Sequence, residues 1–266
     1  MIYHGDCLDI MPILADKSVD MILCDLPYGT TACKWDVVIP FAPLWEQYKR
    51  IIKDRGAIVL FGSEPFSSYL RMSNIKQYKY DWVWEKERPT NIFNMKHEVA
   101  RVHEIISVFC GGKYYPIMED SCQPNNNNKN KNKSQSGIMN VIDTISCESK
   151  ISDSYNPALR YPRSVIKIPR GTRGNKRLHP TQKPVALLEY LIKTYTLEGE
   201  TVLDNCIGSG TTAIACINTN RNYIGFELDA QYCDIANDRI QKAIAAWNRR
   251  TQNIGKKECF VGDEKC

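Results

Sequence analysis

Apolar positions along this chain fall alternately into short continuous runs and into helical spacings. "VDMILCD" (residues 19–25) and "GAIVLFG" (56–62) are unbroken apolar runs, which is how a strand buried on both faces reads. Between them, "FAPLWEQYKRIIKD" (41–54) sets Leu44, Tyr48, Ile51 and Ile52 on one side of a helix. "EPFSSYLRMSN" (64–74) predicts the next helix, and "YDWVWEK" (80–86) and "EIISVFC" (104–110) predict two further strands. After Gly111-Gly112 the pattern lapses, and asparagine, lysine and serine dominate to about residue 137. Periodicity returns at "HPTQKPVALLEYLIKTY" (179–195), where Pro184 suits the first turn of a helix. A strand "ETVLD", a glycine turn "NCIGSGTT", a helix "AIACINT" and a strand "NYIGFELD" follow. A strongly helical stretch then runs from Ala230 to Trp247, and "KKECFVGDEKC" reads as a loose tail.

Strand–helix alternation on both sides of a polar middle predicts an α/β fold with a doubly wound, mostly parallel sheet. The expected organisation is one half-domain over 1–110, an insertion over 111–177 with 125–137 disordered, the second half of the same domain over 178–248, and a tail over 249–266.

Composition narrows the classes. At 43% hydrophobic and 24% charged residues, the 266-residue chain reads as globular. No apolar run approaches the roughly 20 residues that span a bilayer, and the N-terminus lacks the pattern of an export signal. The eleven cysteines are scattered and never spaced C-x-x-C, which favours reduced thiols in a cytosol over a disulfide framework or a structural zinc. No metal site is expected, and His97 and His103 have no metal-like partners. Charge is the uneven property. Residues 125–177 carry eleven Lys and Arg against three Asp and Glu, a surplus larger than the net +5 of the whole chain. A polyanion facing that segment would explain the surplus, as would a solvated charge run, the preferred reading for "NNNNKNKNKSQSG" alone.

Two places carry candidate chemistry. Asp25, Pro27 and Tyr28 stand directly after a buried strand, where packing needs none of them and open α/β sheets put their active sites. Further on, Asp204 closes a strand, a turn through Cys206, Gly208 and Gly210 leads into a helix at Thr211, and Glu227 closes the next strand. A glycine turn with an acid ending the following strand is the arrangement that grips a ribose by its hydroxyls. The third glycine of the dinucleotide fingerprint is missing, so a nucleoside without phosphates fits better, S-adenosylmethionine above all. Asp6, after Gly5, is either a helix N-cap or an acceptor for an exocyclic amine, and the residues alone favour the cap.

"DLPYG" resembles the Asp-Pro-Pro-Tyr motif of amino-methylating DNA methyltransferases. "DNCIGSGTT" is similar to their cofactor loop and "HPTQKP" to the segment that precedes it, in the order of that family's β group. The resemblance covers about residues 1–110 and 160–247 and implies an S-adenosylmethionine-dependent enzyme acting on double-stranded DNA. It implies that Asp25 and the carbonyl of Leu26 accept the two N–H bonds of a base amine, freeing its lone pair. Pro27 would fix the loop and Tyr28 would stack on an extruded base. It further implies that Asp204 and the glycine turn hold the methionine end of the cofactor, Glu227 the ribose and Asp6 the adenine, with Thr181 and Lys183 nearby. The family's first proline is Leu26 here, which leaves the carbonyl in place. "WVWEK" is expected to be a core strand with one exposed lysine, Lys86, more than a wall of the base pocket. The insertion takes the place of the target-recognition segment, with Arg160, Arg163, Arg170 and Arg173 as candidate DNA contacts. Asp at position 25 resembles the adenine-N6 enzymes; cytosine-N4 methylation, RNA as substrate and a non-catalytic nucleic-acid-binding protein are the alternatives. The resemblance is compatible with a homodimer, a cognate restriction endonuclease and a cytoplasmic, nucleoid-associated place in a bacterial or phage-infected cell.

Overall fold

The apolar runs do become buried strands, and the helical spacings pack against them. The computed structural model describes residues 1–31, 36–120, 158–170 and 182–261, with side chains to residue 252. In chain order the elements are β1 (Ile2–His4), α1 (Cys7–Ile10), β2 (Val19–Cys24), α2 (Phe41–Ile51), β3 (Ile52–Gly62), α3 (Phe66–Ser73), β4 (Tyr78–Glu85) and β5 (His103–Cys110). After these come β6 (Glu119–Asp120), β7 (Leu159–Arg160), β8 (Val165–Lys167), α4 (Val185–Tyr195), β9 (Thr201–Asp204), α5 (Thr211–Asn218), β10 (Asn222–Glu227) and α6 (Ala230–Val261).

The chain divides into two compact units, Met1–Tyr115 with Ser164–Cys266, and Pro116–Arg163. In the smaller unit the described residues form a short antiparallel ribbon of β6 and β7, and Arg160 pairs with Glu119 at 3.0 Å. In the larger unit eight strands form one sheet in the order β1-β10-β9-β2-β3-β5-β4-β8. Only β5 runs against the rest, antiparallel to both β3 and β4.

Strand β2 shows why its sequence is unbroken. Ile22 and Cys24 join one cluster with Leu44, Tyr48 and Phe66, while Met21 and Leu23 join another with Leu187, Leu191 and Tyr195. Both faces of the sheet are therefore covered by helices, and no position on the strand can be polar without a partner. Asp20 has its partners. It is 2% exposed and accepts from Lys53 Nζ (2.7 Å), Lys113 Nζ (3.2 Å) and the Thr201 amide (3.1 Å) at the start of β9.

Three features differ from the sequence pattern. Ile52 leaves helix α2 and opens β3, because its side chain registers beside Val19 in the sheet. The edge strands β1 and β8, three residues each, are too short to show a period. Helix α6 continues to Val261, well into the stretch read as a tail. No helix among the described residues is long and apolar enough to cross a membrane.

From β2 the chain winds through α2 to β3 on one side, and from β9 through α5 to β10 on the other. Neighbours β2 and β9 thus straddle the topological switch point, whose carboxyl side is the usual crevice of such sheets. Asp20 stitches that pair at its opposite end. Burial by itself would raise its carboxyl, but the bonds from Lys53, Thr201 and Lys113 outweigh it and hold the group below its ordinary value. Such a carboxylate lends stability above its unfolded value and loses it as the pH falls through the folded one. Asp20→Ala should cost about 1–3 kcal/mol at neutral pH, with the deficit shrinking below about pH 4, as denaturant unfolding at both pH values will show.

Candidate active site

Where β2 ends, Asp25 and Leu26 turn out over the carboxyl edge of the sheet. Where β9 ends, Asp204, Asn205 and Cys206 emerge alongside, because Met21 registers with Val202 and Ile22 with Leu203. One cleft of about 890 Å³ is lined by both segments, with the ring of Tyr28 and the bend at Gly208 among its walls.

On the β2 side the Asp25 carboxylate is held at both oxygens. Tyr28 donates its hydroxyl to Oδ1 (2.5 Å), and Lys183 Nζ sits 2.5 Å from Oδ2. Lys183, 8% exposed, also lies 3.2 Å from Glu104 Oε2, and Glu104 Oε1 accepts from Lys86 Nζ at 2.9 Å. Cations and anions alternate along this buried row. Burial would lower the Lys183 ammonium, yet the charges of Asp25 and Glu104 keep it above its ordinary value. Burial would likewise raise Glu104, and Lys183 and Lys86 outweigh it and hold the carboxyl down. The Tyr28 ring packs on Phe66, centroids 5.0 Å apart, and Lys183 stands 5.9 Å from the Tyr28 centroid. The following loop is tied by Asp36, which accepts from the amides of Gly29 (2.8 Å), Thr30 (2.9 Å) and Thr31 (2.6 Å).

On the β9 side Asp204 accepts from Thr212 Oγ1 (2.5 Å) and the Cys206 amide (3.1 Å). It has no cation beside it among these bonds, and burial pushes its carboxyl up to about 6. Glu227 bridges two loops, accepting from the Gly208 amide at 2.8 Å and the Asp229 amide at 2.9 Å; burial raises it too. Gly208 takes φ +53° with open space where a side chain would stand. Gly210, at φ +80°, is needed for a different reason: a Cβ there would meet the Ala236 Cβ of α6 at 3.1 Å. The Gly5 amide bonds the Glu227 carbonyl (2.9 Å), which sets Asp6 on the rim of the same cleft. Asp6 does cap α1, its Oδ1 accepting the Leu8 amide at 2.8 Å.

Of the expected residues, Asp25, Leu26, Pro27, Tyr28, Asp6, Asp204, Cys206, Gly208, Thr211, Glu227 and Lys183 all line this one cleft. Gly210 supports it from below. Lys183 was expected with the cofactor residues; it lines the shared cleft, and its ammonium lies against Asp25. Lys86 is not an exposed lysine but is 5% exposed, with its charge turned into the cleft toward Glu104. Arg170 also reaches the cleft, 5.9 Å above the buried Trp84 ring. Arg163 is exposed in the smaller unit, whereas Thr181 and Arg173 lie outside the described residues.

Sequence reasoning missed Glu104, Asn205 and Arg239. Glu104 reads as the start of a strand, and only the antiparallel pairing of β5 with β4, Trp84 opposite Glu104, brings it to Lys86. Asn205 accepts from the Tyr48 hydroxyl at 2.5 Å, linking the turn to α2 across 157 residues. Arg239 of α6 bonds the Ser209 carbonyl and its hydroxyl (2.8 Å), bracing the turn from outside.

A family model described as DNA methylase (N6_N4_Mtase) matches residues 19–238 of this chain. The chain belongs to the DNA methylase family. Among relatives of the methylase, Type II methyltransferase M.HinfI of Haemophilus influenzae is 25% identical over 91% of this chain and 68% of its own length. DNA adenine methyltransferase YhdJ of Escherichia coli is 26% identical over 96% of this chain and 90% of its own. The crystal structure of an M1.HpyAVI–SAM complex is 26% identical, with a TM-score of 0.60 over 90% of the methylase and 98% of that chain.

Asp204 gives the methylase a pH signature. A carboxyl whose folded value exceeds its unfolded one gains a proton on folding, so stability is highest at low pH and declines as the pH rises through about 6. Asp204→Asn should therefore be more stable than the parent above that pH by about 1–2 kcal/mol, net of the weakened bonds from Thr212 and Cys206, and lose the advantage near pH 4. Urea unfolding of both proteins across that range measures it.

Proposed function

We propose that this methylase transfers the methyl group of S-adenosylmethionine to the exocyclic N6 of adenine in double-stranded DNA. The observation that carries the reading is the shared cleft, in which the Asp25–Tyr28 loop faces the Asp204–Gly208 turn and Glu227. The residues on the β9 side suit the cofactor. Glu227 keeps acceptor capacity beyond its two amide bonds, in a buried place where hydroxyl donors would be welcome. The backbone at Gly208 faces open space, and Asp204 and Glu227 are carboxylates raised by burial, an environment that favours a cationic ligand. Asp6 spends one oxygen on its cap, leaving the other for the adenine edge. When bound, S-adenosylmethionine supplies a methyl group already activated on a positively charged sulfur.

The chain's own residues prepare the amine. An exocyclic amine is a poor nucleophile because its lone pair is delocalised into the ring. Asp25 accepts from Tyr28 and lies against Lys183, and with those two fixing its oxygens the remaining lone pairs keep one direction. The Leu26 carbonyl takes the second N–H, with Pro27 restricting the backbone that carries it. The carboxylate also opposes the positive charge that grows on the nitrogen. Extrusion of the base is required because the amine inside a duplex is out of reach. Asp at position 25 and the likeness to the adenine enzyme YhdJ support adenine. Arg170 at the cleft and Arg160 and Arg163 of the smaller unit are the proposed phosphate contacts, with residues 111–177 as the target-recognition insertion. The type II names among the relatives support a restriction–modification setting with a cognate endonuclease.

Incubation of unmethylated duplex DNA with the enzyme and labelled cofactor, followed by digestion to nucleosides, should yield labelled N6-methyl-2′-deoxyadenosine. N4-methyl-2′-deoxycytidine would move the reading to cytosine, and label appearing only with RNA would change the polymer. Asp25→Ala should abolish transfer while cofactor binding by equilibrium dialysis stays nearly intact; equal loss of both removes Asp25 from catalysis. Lys183→Met should lower transfer by about 100-fold or more, in the range for loss of a preorganised charge, again with binding retained. Weakened dialysis binding would instead return Lys183 to the cofactor site.

A further inference from the structure

Between β4 and β5 the chain leaves the sheet at Lys86 and returns at His103, and the excursion is laced to itself. The Thr90 amide donates to the Arg101 carbonyl (3.1 Å), the Arg101 amide to Asn91 Oδ1 (2.8 Å), and Asn91 Nδ2 to the Val99 carbonyl (2.8 Å). Glu98 and Arg101 pair at 2.6 Å. The loop thus keeps its shape with its own bonds. Its tip, the short 3₁₀ turn Ile92–Asn94, buries nothing. Phe93 there is 97% exposed and Val99 83% exposed, with Ile92 and Met95 also outward. A phenyl side chain left in water forgoes the gain of burial, so folding gives no reason for it. Position gives one: Pro89, Thr90, Ile92 and Arg101 form part of the wall of the catalytic cleft, which makes the apolar tip a continuation of its rim. Arg88, Lys96 and Arg101 outnumber Glu87 and Glu98 along the loop, as suits a surface that meets phosphates.

We propose that this loop is a wedge for duplex DNA, with Phe93 entering the base stack next to the target as the base turns into the cleft. The proposal rests on the methylase reading above and deepens it, since it assigns extrusion to a segment outside the insertion. Unstacking and unpairing a base costs a few kcal/mol. An apolar side chain that fills the gap, or an aromatic ring that stacks on the exposed neighbours at about 1–3 kcal/mol per base, offsets that cost. The rim position selects DNA over a second copy of the chain as the occupant, because a protein partner seated on Phe93 would cover the mouth of the cleft.

The test compares the full-length protein with Phe93→Ala on duplexes containing the target site mapped from the nucleoside experiment. Three substrates are used: the fully paired duplex, the same duplex with an abasic position opposite the target, and the single strand. On the paired duplex the variant should lose about 10-fold or more in kcat/KM, the worth of one stacking contact. On the abasic and single-stranded substrates it should stay within about 2-fold of the parent, since the unpairing cost is then largely removed. Phe93→Trp should restore transfer, and 2-aminopurine at the target position should brighten on binding the parent but not Phe93→Ala. Equal losses on all three substrates, or none on the paired duplex, overturn the wedge. So does a drop in oligomeric mass of Phe93→Ala in sedimentation, which would make the loop a self-association surface. A parent protein that methylates none of the three refutes the proposed function itself, and the wedge with it.

Discussion

The parallel pairing of β2 with β9 is the contact on which the site depends. It is short, with Met21 beside Val202 and Ile22 beside Leu203, and it joins strands about 180 residues apart in the chain, as the bond from Thr201 to Asp20 across 181 positions shows. Closing so long a loop costs little more than closing one half its length, so a large insertion between the two strands is tolerated. At one end Asp20 gathers Lys53, Lys113 and the Thr201 amide. At the other end the two strands release the segments that line the cleft. Since side chains alternate along a strand, a one-residue slip of this pair would carry Asp204 away from the loop of Asp25 and turn both strands' buried faces over.

The two walls of the cleft treat charge differently. On the β2 side Lys86, Glu104, Lys183 and Asp25 alternate, so each buried charge has an opposite neighbour; pairing outweighs burial at Lys183 and Glu104, while burial still lowers the Lys86 ammonium. On the β9 side Asp204 and Glu227 are bonded to hydroxyl and amide donors, and both are raised by burial. The first arrangement suits a group that must remain an acceptor of fixed direction throughout a reaction. The second leaves electrostatic stabilisation to be gained when a ligand with hydroxyls or positive charge arrives. On the proposed reading, the carboxylate that meets the base is preorganised and those that meet the cofactor are left to gain from its arrival, which divides stability from function.

Much of this was legible in the chain. Buried strands such as Val19–Cys24 announce themselves because helices on both faces admit a polar side chain only where it finds partners, as Asp20 does, and Asp25, Tyr28, Asp204 and Glu227 stand out as acids and an aromatic where packing wants neither. What was illegible was whatever depends on partners distant in sequence. Lys86 looked like the solvated end of a strand until β5 ran antiparallel to β4 and set Glu104 beside it. Lys183 was expected near a cofactor, and its contact with Asp25, from 158 residues away, had no signal in the sequence. Gly210 looked like a ligand-binding glycine, and its need for a small side chain comes from the approach of Ala236.

The amino-acid sequence by itself determined the alternation of strands and helices, the residue types at each strand's carboxyl end and the concentration of basic charge between residues 125 and 177. These follow from local periodicity and composition, which need no knowledge of neighbours. Tertiary structure alone decided that two remote strand ends share one crevice and that the Lys183 ammonium lies against Asp25. It likewise placed an exposed phenylalanine next to Ile92, which lines that crevice. Each of these is a distance between residues far apart in the chain, and only the register and order of the sheet set such distances.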